Sequence, residues 1–376
     1  MNLFIYNPFS FGGNYDYIRA LTKAYIRHQE IENVTVIMPV NAKDEPGYLR
    51  ILLTDQAGWE NRIIKKFYFL YRSIVNPLRF YRYLRSQKNG IVLFNDYDQL
   101  SSFLWVPLFK SLRSKFIFSV ILHDPDRDNY LPSKSFSKFS MKRVMSLMDV
   151  AFYHGMLPQK EYYTGKFDKV AVPHGIYDVV TEDEVVENFI LKQKSSHFLL
   201  SIIGNIREEK NYELVIRSLI HLPEFKLIIA GAKANSEVPV ESYRQLVTAL
   251  GLSSRVIFIE KFLSEPELHA VIKTSDIILL YYSTSFTSQS GILNLIAPYK
   301  KKILVADTPS ALTHDVRRFS LGEVVPADNP DLFIEGVKTL WAKDMNESAW
   351  DDYISEASWS TNVDIAIKTF KQKLRN

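Results

Sequence analysis

The stretch Gly204-Asn-Ile-Arg-Glu-Glu-Lys210 decides the fold class, because it lies between an apolar run and a helical pattern. The apolar run Phe198–Ile203 predicts a strand, and residues 212–220 predict a helix. A strand, a short loop and a helix in this order place the loop at the carboxyl edge of a parallel sheet, where such folds bind ligands. Gly204 allows a sharp turn, and Arg207 and Lys210 supply two cations that suit a phosphate group.

A second loop of similar character, Ser283-Thr-Ser-Phe-Thr-Ser-Gln-Ser-Gly291, lies downstream. It follows a predicted strand at 276–282 and precedes an apolar helical run at 292–297. Small hydroxyl residues and backbone N–H groups at a helix start suit a diphosphate. Taken singly, each loop is equally explained as a solvated or helix-capping segment without a ligand. Two such loops in neighbouring strand–helix units of one sheet favour a phosphate site.

The composition is that of a soluble globular chain with two domains. The chain has 376 residues, 47% of them hydrophobic and 23% charged, and it contains no cysteine, which excludes disulfides and thiolate chemistry. The first residues predict a strand rather than a signal peptide, and no apolar run reaches the length of a membrane span. We therefore expect a cytoplasmic protein.

The charge is distributed unevenly along the chain. Residues 1–178 carry 24 Lys/Arg against 16 Asp/Glu, whereas the remainder carries 22 against 26. The excess is concentrated between Arg62 and Lys88, where eight cations and no acidic residue are interleaved with aromatic residues. Such a segment suits an anionic membrane surface, on the inner face of the membrane for a cytoplasmic protein. A solvated helix face over an aromatic core explains it equally well, and we expect no nucleic-acid partner.

Strands alternate with helices along the whole chain. This alternation predicts an α/β protein with two doubly wound, Rossmann-like domains that face a central cleft. We expect an N-terminal domain at 1–180, a linker around 178–196, a C-terminal domain at 195–355, and a final helix at 360–376 that packs back on the first domain. The predicted strands are 3–6, 34–38, 91–94, 116–122, 149–153, 170–172, 198–203, 226–230, 255–259, 277–282 and 302–306.

Several motifs together resemble those of the family 4 glycosyltransferases of GT-B fold. In the C-terminal half these are Gly204-x-x-Arg207-x-x-Lys210-Asn211, the 265–273 helix running into Ser275-Asp276, and Gln289-Ser-Gly-Ile-Leu-Asn294. In the N-terminal half they are Gly12-Gly13, Leu122-His123-Asp124 and Val172-Pro-His174-Gly175. The resemblance covers nearly the whole chain and implies a retaining, nucleotide-sugar-dependent hexosyltransferase that extends a polysaccharide or glycolipid. UDP-glucose is the expected donor, with no cofactor and no metal.

The resemblance also implies a role for individual residues. His123, Arg207 and Lys210 are the expected catalytic residues, with His123 orienting the transferred sugar. The expected donor-binding residues are Gly13, Gly204, Arg207, Lys210, Phe262, Gln289, Ser290, Gly291 and Asn294. The expected acceptor-binding residues are Gly12, Asp124 and His174.

The chain departs from the family at two positions. The family often carries two glutamates seven residues apart across the second loop, and Phe286 and Asn294 stand at these positions here. Asn294 can still hydrogen-bond a ribose hydroxyl, but Phe286 has no polar group. Without an obvious carboxylate nucleophile, a front-face mechanism fits, in which the leaving phosphate assists deprotonation of the acceptor.

Alternative interpretations remain open for the function of the chain and for the roles of its aspartates and histidines. A nucleotide-sugar 2-epimerase and an inactive partner of another transferase share this architecture. The aspartates of 124–128 and of 96–98 are spaced as metal ligands, but they lie in the half opposite to the predicted diphosphate cations, and we expect no metal there. His154 and His269 are interpreted as structural.

Overall fold

The computed structural model describes residues 1–56, 61–235 and 237–375. The chain divides into two compact units. Unit 1 comprises Met1–Gly175 together with Ser358–Asn376, and unit 2 comprises Ile176–Ala357.

Unit 1 is a parallel sheet flanked by helices. Its strands are β1 (Asn2–Tyr6), β2 (Asn33–Pro39), β3 (Tyr48–Leu52), β4 (Gly90–Phe94), β5 (Phe116–Leu122), β6 (Val150–Tyr153) and β7 (Asp168–Ala171). Its helices are α1 (Gly13–Arg27), α2 (Arg62–Arg85), α3 (Ser102–Lys110), α4 (Lys134–Met145) and, from the end of the chain, α13 (Trp359–Arg375).

The strand order of unit 1 is β3-β2-β1-β4-β5-β6-β7, and every pairing is parallel. Successive side chains of β1 point to opposite faces of the sheet, as in any pleated strand. Phe4 and Tyr6 pack with residues of α2, α3 and α4, whereas Leu3 and Ile5 pack with residues of α1 and α13. The order reverses between β1 and β4, so loops at the carboxyl ends of these strands border the ligand crevice of a doubly wound sheet.

Unit 2 repeats this plan. Its strands are β8 (Phe198–Ile203), β9 (Phe225–Ala230), β10 (Val256–Ile259), β11 (Ile277–Leu280), β12 (Lys302–Asp307) and β13 (Glu323–Pro326). Its helices are α5 (Glu184–Lys194), α6 (Tyr212–Ser218), α7 (Val240–Ala249), α8 (Glu265–Thr274), α9 (Gly291–Ile296), α10 (Ala311–Phe319), α11 (Pro330–Ala342) and α12 (Glu347–Glu356). The strand order is β10-β9-β8-β11-β12-β13, so the order reverses between β8 and β11.

The predicted α/β class with two doubly wound parallel sheets is confirmed, although three elements differ from expectation. Strands β3 and β13 were missed because each is short, carries polar residues and lies at the edge of its sheet. The stretch interpreted as a linker contains α5, which is capped by Asp183 and packs against α8 in unit 2. Its acidic start and basic end are those of an ordinary helix rather than of a connecting segment.

Candidate active site

The first predicted phosphate loop leaves the carboxyl end of β8, where Gly204 has φ = 86°. A Cβ atom at this position would lie 3.1 Å from Cδ1 of Ile292 in α9 and 3.5 Å from Nζ of Lys210. A larger residue would therefore be strained and would press on the loop's lysine. The requirement for glycine is set here both by backbone conformation and by the close approach of α9.

The two cations of this loop differ in environment. The Arg207 side chain is 42% exposed and its Nη1 lies 3.1 Å from Oε1 of Glu209. Lys210 is only 6% exposed, and its Nζ donates to the carbonyl oxygen of Ile203 at 2.5 Å. Burial, with a smaller contribution from Arg207, lowers the pKa of Lys210 to about 7. An anion that binds here would contact the permanently charged guanidinium of Arg207. It would also favour protonation of the Lys210 amine beside it.

The second loop, which follows β11, is organised by Tyr282. The phenolic oxygen of Tyr282 lies 3.0 Å from Oγ of Ser290, and its ring stacks on Phe286 at 3.9 Å between centroids. Phe286 is buried in the core of unit 2, so it supports the loop from within instead of providing a polar contact. The replacement of the family's first glutamate therefore has a packing role.

The predicted phosphate contacts at the end of this loop are partly engaged in internal hydrogen bonds. The backbone N–H of Ser290 donates to Oε1 of Gln289 at 2.9 Å, and Nε2 of Gln289 donates to Asp315 at 2.6 Å. Beside Gly291 there is open space, because a Cβ atom built there would meet nothing within 4 Å. A phosphate group that binds through Ser290 must displace the Gln289 side chain, whereas the approach to Gly291 is open.

The two loops are tied to each other. The backbone N–H of Ser283 donates to the carbonyl oxygen of Glu209 at 2.7 Å. Asp328, which follows β13, accepts from Nδ2 of Asn211 at 2.7 Å and from the backbone N–H of Thr284 at 3.1 Å. Asp328 was not predicted from the sequence, and its only signal there is a polar turn, Ala327-Asp-Asn-Pro330. These contacts bring the cations of the first loop and the hydroxyl residues of the second to the β8/β11 reversal point.

Two further predicted donor residues, Asn294 and Phe262, lie in unit 2. Asn294 in α9 is fully buried, and its Oδ1 accepts from the hydroxyl of Tyr353 at 2.7 Å. Its Nδ2 is buried without a partner among the residues that the structure describes. Phe262 lies between β10 and α8 and is 59% exposed, so its ring is accessible to a ligand. A ribose contact of Asn294 stays a prediction.

In unit 1 the predicted residues gather at the carboxyl ends of the strands. Gly12, with φ = 79°, and Gly13 form the start of α1, and a Cβ atom on either would meet nothing within 4 Å. Asp124, directly after β5, accepts a short hydrogen bond from the hydroxyl of Tyr130. The loop after β1 therefore has room for a ligand, whereas the Asp124 carboxylate is engaged by a tyrosine.

His123 and His174 lie in one cluster, together with a third histidine. The rings of His123, His154 and His174 surround Tyr17 at centroid distances of 4.5, 5.4 and 5.0 Å. Burial, reinforced by the neighbouring histidines, lowers the pKa of His123 well below its usual value and that of His174 to about 3. Burial likewise lowers the pKa of His154 to about 4. The cluster is therefore uncharged at neutral pH and offers dipoles rather than cations.

The aspartates considered as metal ligands are engaged by cations or by a tyrosine. Asp126 and Asp128 lie 2.8 and 3.0 Å from Nζ of Lys160. Asp96 lies 2.8 Å from Nη2 of Arg127, and Asp98 accepts from the hydroxyl of Tyr6 at 2.7 Å. In the described part of the chain, no group of three or more His, Cys, Asp or Glu residues has the geometry to hold a metal ion.

Part of the chain matches a known protein family. Residues 186–356 match the family model of group 1 glycosyl transferases. That stretch contains both phosphate loops and Asp328, and therefore the whole of the predicted phosphate-binding site. No curated protein sequence gives a significant match.

Solved structures match over the full length of the chain. Sucrose-phosphate synthase from Thermosynechococcus elongatus is 14% identical with a TM-score of 0.71, covering 100% of this chain and 98% of that one. Anabaena Alr3699/HepE in complex with UDP-glucose is 12% identical with a TM-score of 0.71, covering 99% and 100%. An alpha,alpha-trehalose-phosphate synthase (UDP-forming) from Burkholderia vietnamiensis is 12% identical with a TM-score of 0.64, covering 99% of each chain. At these identities the likeness shows the GT-B fold in both units.

Proposed function

We propose that this glycosyltransferase of GT-B fold, whose residues 186–356 match the family model of group 1 glycosyl transferases, transfers glucose from UDP-glucose with retention at the anomeric carbon. The acceptor is a growing polysaccharide or a glycolipid. The observation that carries the proposal is the joining of the Arg207–Lys210 loop to the Ser283–Gly291 loop at the β8/β11 reversal point. The narrower assignment to family 4 within the GT-B enzymes stays a prediction.

The chemistry follows from where negative charge develops. As the glycosidic bond breaks, charge accumulates on the leaving diphosphate, and preorganised cations stabilise it without a metal. Arg207 and protonated Lys210 supply these cations, and the open backbone at Gly291 receives the distal phosphate. The leaving phosphate then takes the proton of the attacking acceptor hydroxyl on the same face of the sugar.

The choice of UDP-glucose is supported by the named ligands and reactions of structural relatives. HepE was solved with UDP-glucose, and the trehalose-phosphate synthase is described as UDP-forming. A neutral histidine such as His123 suits a hydroxyl group of a hexose, since a ring nitrogen that is not bonded within the protein can exchange a hydrogen bond with it. His123 is proposed to orient the transferred sugar, with Asp124, His174 and the Gly12–Gly13 turn towards the acceptor.

The acceptor is proposed to be lipid-linked and reached at an anionic membrane surface. In the first half of α2 the apolar residues Ile63, Ile64, Phe67, Phe69, Leu70 and Tyr71 are all exposed, with Phe67 at 70%. Lys65 and Lys66 lie among them, whereas Phe80 is in the core. The side chain of Arg62 lies outside the described residues. Among the described helices, none is long and apolar enough to cross a membrane.

The proposal is tested by incubating the purified protein with UDP-glucose, other UDP-hexoses and GDP-mannose in the presence of extracted lipid-linked saccharides. Release of UDP with transfer of glucose, and an α-linkage in the product by proton NMR, would support it. A β-linkage would show that the anomeric configuration is inverted and would contradict the proposed retention. Recovery of a C2-epimerised sugar nucleotide would instead indicate a 2-epimerase. Absence of both reactions, with UDP still bound, would indicate an inactive partner of another transferase.

A further inference from the structure

Two asparagines with fully buried side chains stand at the reversal point of the unit 1 sheet. Asn7 follows β1 and Asn95 follows β4, and both are inaccessible to solvent. Each continues its strand by one backbone hydrogen bond, from Asn7 to Ile37 and from Asn95 to Tyr6. Burying a primary amide is unfavourable unless its donors and acceptor are hydrogen-bonded. The hydrogen-bond partners of these two side chains therefore indicate their role.

The orientation of the Asn7 amide is fixed by the main chain. Its Nδ2 donates to the carbonyl oxygen of Phe9 at 2.7 Å. A main-chain carbonyl can only accept a hydrogen bond, so the atom of Asn7 that faces it must be the NH₂ group. The other atom, Oδ1, therefore faces Asn95 as an acceptor.

The orientation of Asn95 follows in the same way. Its Nδ2 donates to Oδ1 of Asn7 at 2.9 Å and to the carbonyl oxygen of Asn14 at 3.0 Å. Both hydrogens of its NH₂ group are thereby used, and Oδ1 is left as an acceptor. This oxygen lies 2.9 Å from Nε2 of His123.

The orientation of Asn95 determines the tautomer of His123. An amide oxygen cannot donate, so Nε2 of His123 must carry a hydrogen. Since burial keeps the ring neutral, Nδ1 then holds a lone pair. The described residues provide no hydrogen-bond partner for this Nδ1. His154 has the opposite tautomer, because its Nδ1 lies 3.0 Å from the carbonyl oxygen of Val172.

We propose that Asn95 is a positioning residue that holds His123 in its Nε2–H tautomer, so that His123 meets the transferred sugar as a hydrogen-bond acceptor through Nδ1. The inference rests on the proposed function in one respect, namely that a sugar hydroxyl is the group that donates to Nδ1. It specifies the recognition as a hydroxyl donor on the ligand, and it excludes a role of His123 as a proton donor. It also couples the loop after β1 to the histidine, because Phe9 and Asn14 belong to that loop and the start of α1.

The tautomer is tested directly by NMR on protein labelled with ¹⁵N in the histidine rings, without any substrate. His123, assigned by the loss of its signals in His123→Gln, should show a protonated Nε2 and an unprotonated Nδ1 at neutral pH. A protonated Nδ1 in the wild-type protein would overturn the inference. This measurement needs no folded variant of Asn95.

The role of Asn95 is tested by Asn95→Leu, with Asn76→Leu as the matched control. Asn76 is another buried asparagine of unit 1, and its Oδ1 accepts from the backbone N–H of Leu53 at 2.8 Å. Both substitutions remove a buried amide, but only Asn95→Leu should give His123 a mixture of tautomers. An unchanged His123 spectrum in folded Asn95→Leu would overturn the inference.

The link to the sugar is tested with a panel of monodeoxy UDP-glucose donors. Asn95→Leu should lower kcat/KM for UDP-glucose by about tenfold, as expected for one hydrogen bond at a buried site. On the donor that lacks the hydroxyl facing His123, variant and wild type should have equal kcat/KM. An equal loss on every donor would indicate a merely structural role and overturn the proposal. If no donor is turned over while the wild-type ring shows the Nε2–H tautomer, the proposed function fails and the Asn95–His123 pairing stands.

Discussion

The ammonium group of Lys210 donates to the carbonyl oxygen of Ile203, the last residue of β8, at a distance of 2.5 Å. This contact places a buried lysine at the base of the first phosphate loop, beside the half-buried Arg207. Because burial lowers its pKa to about 7, the lysine of the free protein is protonated below pH 7 and mostly neutral above it. A bound diphosphate favours the charged form.

Binding of UDP above pH 7 should therefore be accompanied by proton uptake. At pH 8.5 the expected uptake approaches one proton per UDP, and affinity should fall by up to about tenfold per pH unit as pH rises above 7. Isothermal titration calorimetry in buffers of different ionisation enthalpy measures both quantities. Lys210→Met should abolish the uptake, whereas Lys233→Met, at an exposed pair with Glu260, should retain it. Binding without proton uptake in the wild type would contradict the assignment.

Arg207→Ala should reduce transfer by two to three orders of magnitude. The loss corresponds to about 2–4 kcal/mol of transition-state stabilisation from one charge-assisted contact to the leaving group. Because the Arg207–Glu209 pair is partly exposed to solvent, thermal stability should stay near that of the wild type. Arg217→Ala breaks an exposed arginine–glutamate pair with Glu213 and should leave turnover unchanged. For the lysine, Lys210→Met is preferable to alanine because it keeps the buried volume, and it should reduce transfer similarly.

Transfer should persist in EDTA. Side-chain cations take the place of a metal at the diphosphate in the proposed mechanism, while Asp126 and Asp128 are engaged by Lys160. Turnover of UDP-glucose is measured before and after dialysis against the chelator. Loss of activity in EDTA and its recovery with Mg²⁺ or Mn²⁺ would contradict the metal-free mechanism. It would indicate the aspartates of unit 1 as metal ligands.

The protein should sediment with anionic liposomes and not with neutral ones, and less so as salt increases. Each lysine near an anionic surface contributes on the order of 1 kcal/mol, and the exposed rings of α2 add apolar contact. Replacing Lys65 and Lys66 with glutamine and Phe67 and Phe69 with serine should abolish sedimentation while leaving UDP binding intact. We exclude Arg79 from this variant because its Nη1 donates to the carbonyl oxygen of Ile51 at 2.7 Å and so supports the fold.

The matched control for this experiment replaces Lys192 and Lys338, two exposed lysines of unit 2, with glutamine. It removes the same number of charges and should sediment as the wild type does. Equal sedimentation of wild type with neutral vesicles, or none with anionic ones, would leave the first half of α2 without a membrane role.

The sequence predicts the strands that carry the candidate site better than it predicts the edges of the sheets. Strand β8 is an apolar run bounded by polar turns, so its period and ends are visible in the chain itself. Strand β13 has only four residues, one of them a proline, and it is defined by its pairing with β12. With β13 unrecognised, Asp328 had no predicted place beside the two phosphate loops.

The contacts that individual side chains make within the candidate site could not be predicted from the sequence either. Phe286 stands at a position where the family carries an acid, and only the packed structure shows that it stacks on Tyr282. The low pKa of Lys210 depends on the burial of its side chain in the folded unit. Residue identity and spacing indicated which loops bind phosphate, but the protonation states within them arise from tertiary packing.

The Asp328 turn has a consequence for how the donor site comes into being during folding. Asn211, Thr284 and Asp328 come from three distant parts of the chain, so their contacts close long loops at an entropic cost. The phosphate loops can reach their final geometry only after β8 has paired with β11 and the β13 turn has docked. We therefore expect nucleotide affinity to be among the last properties that refolding unit 2 acquires.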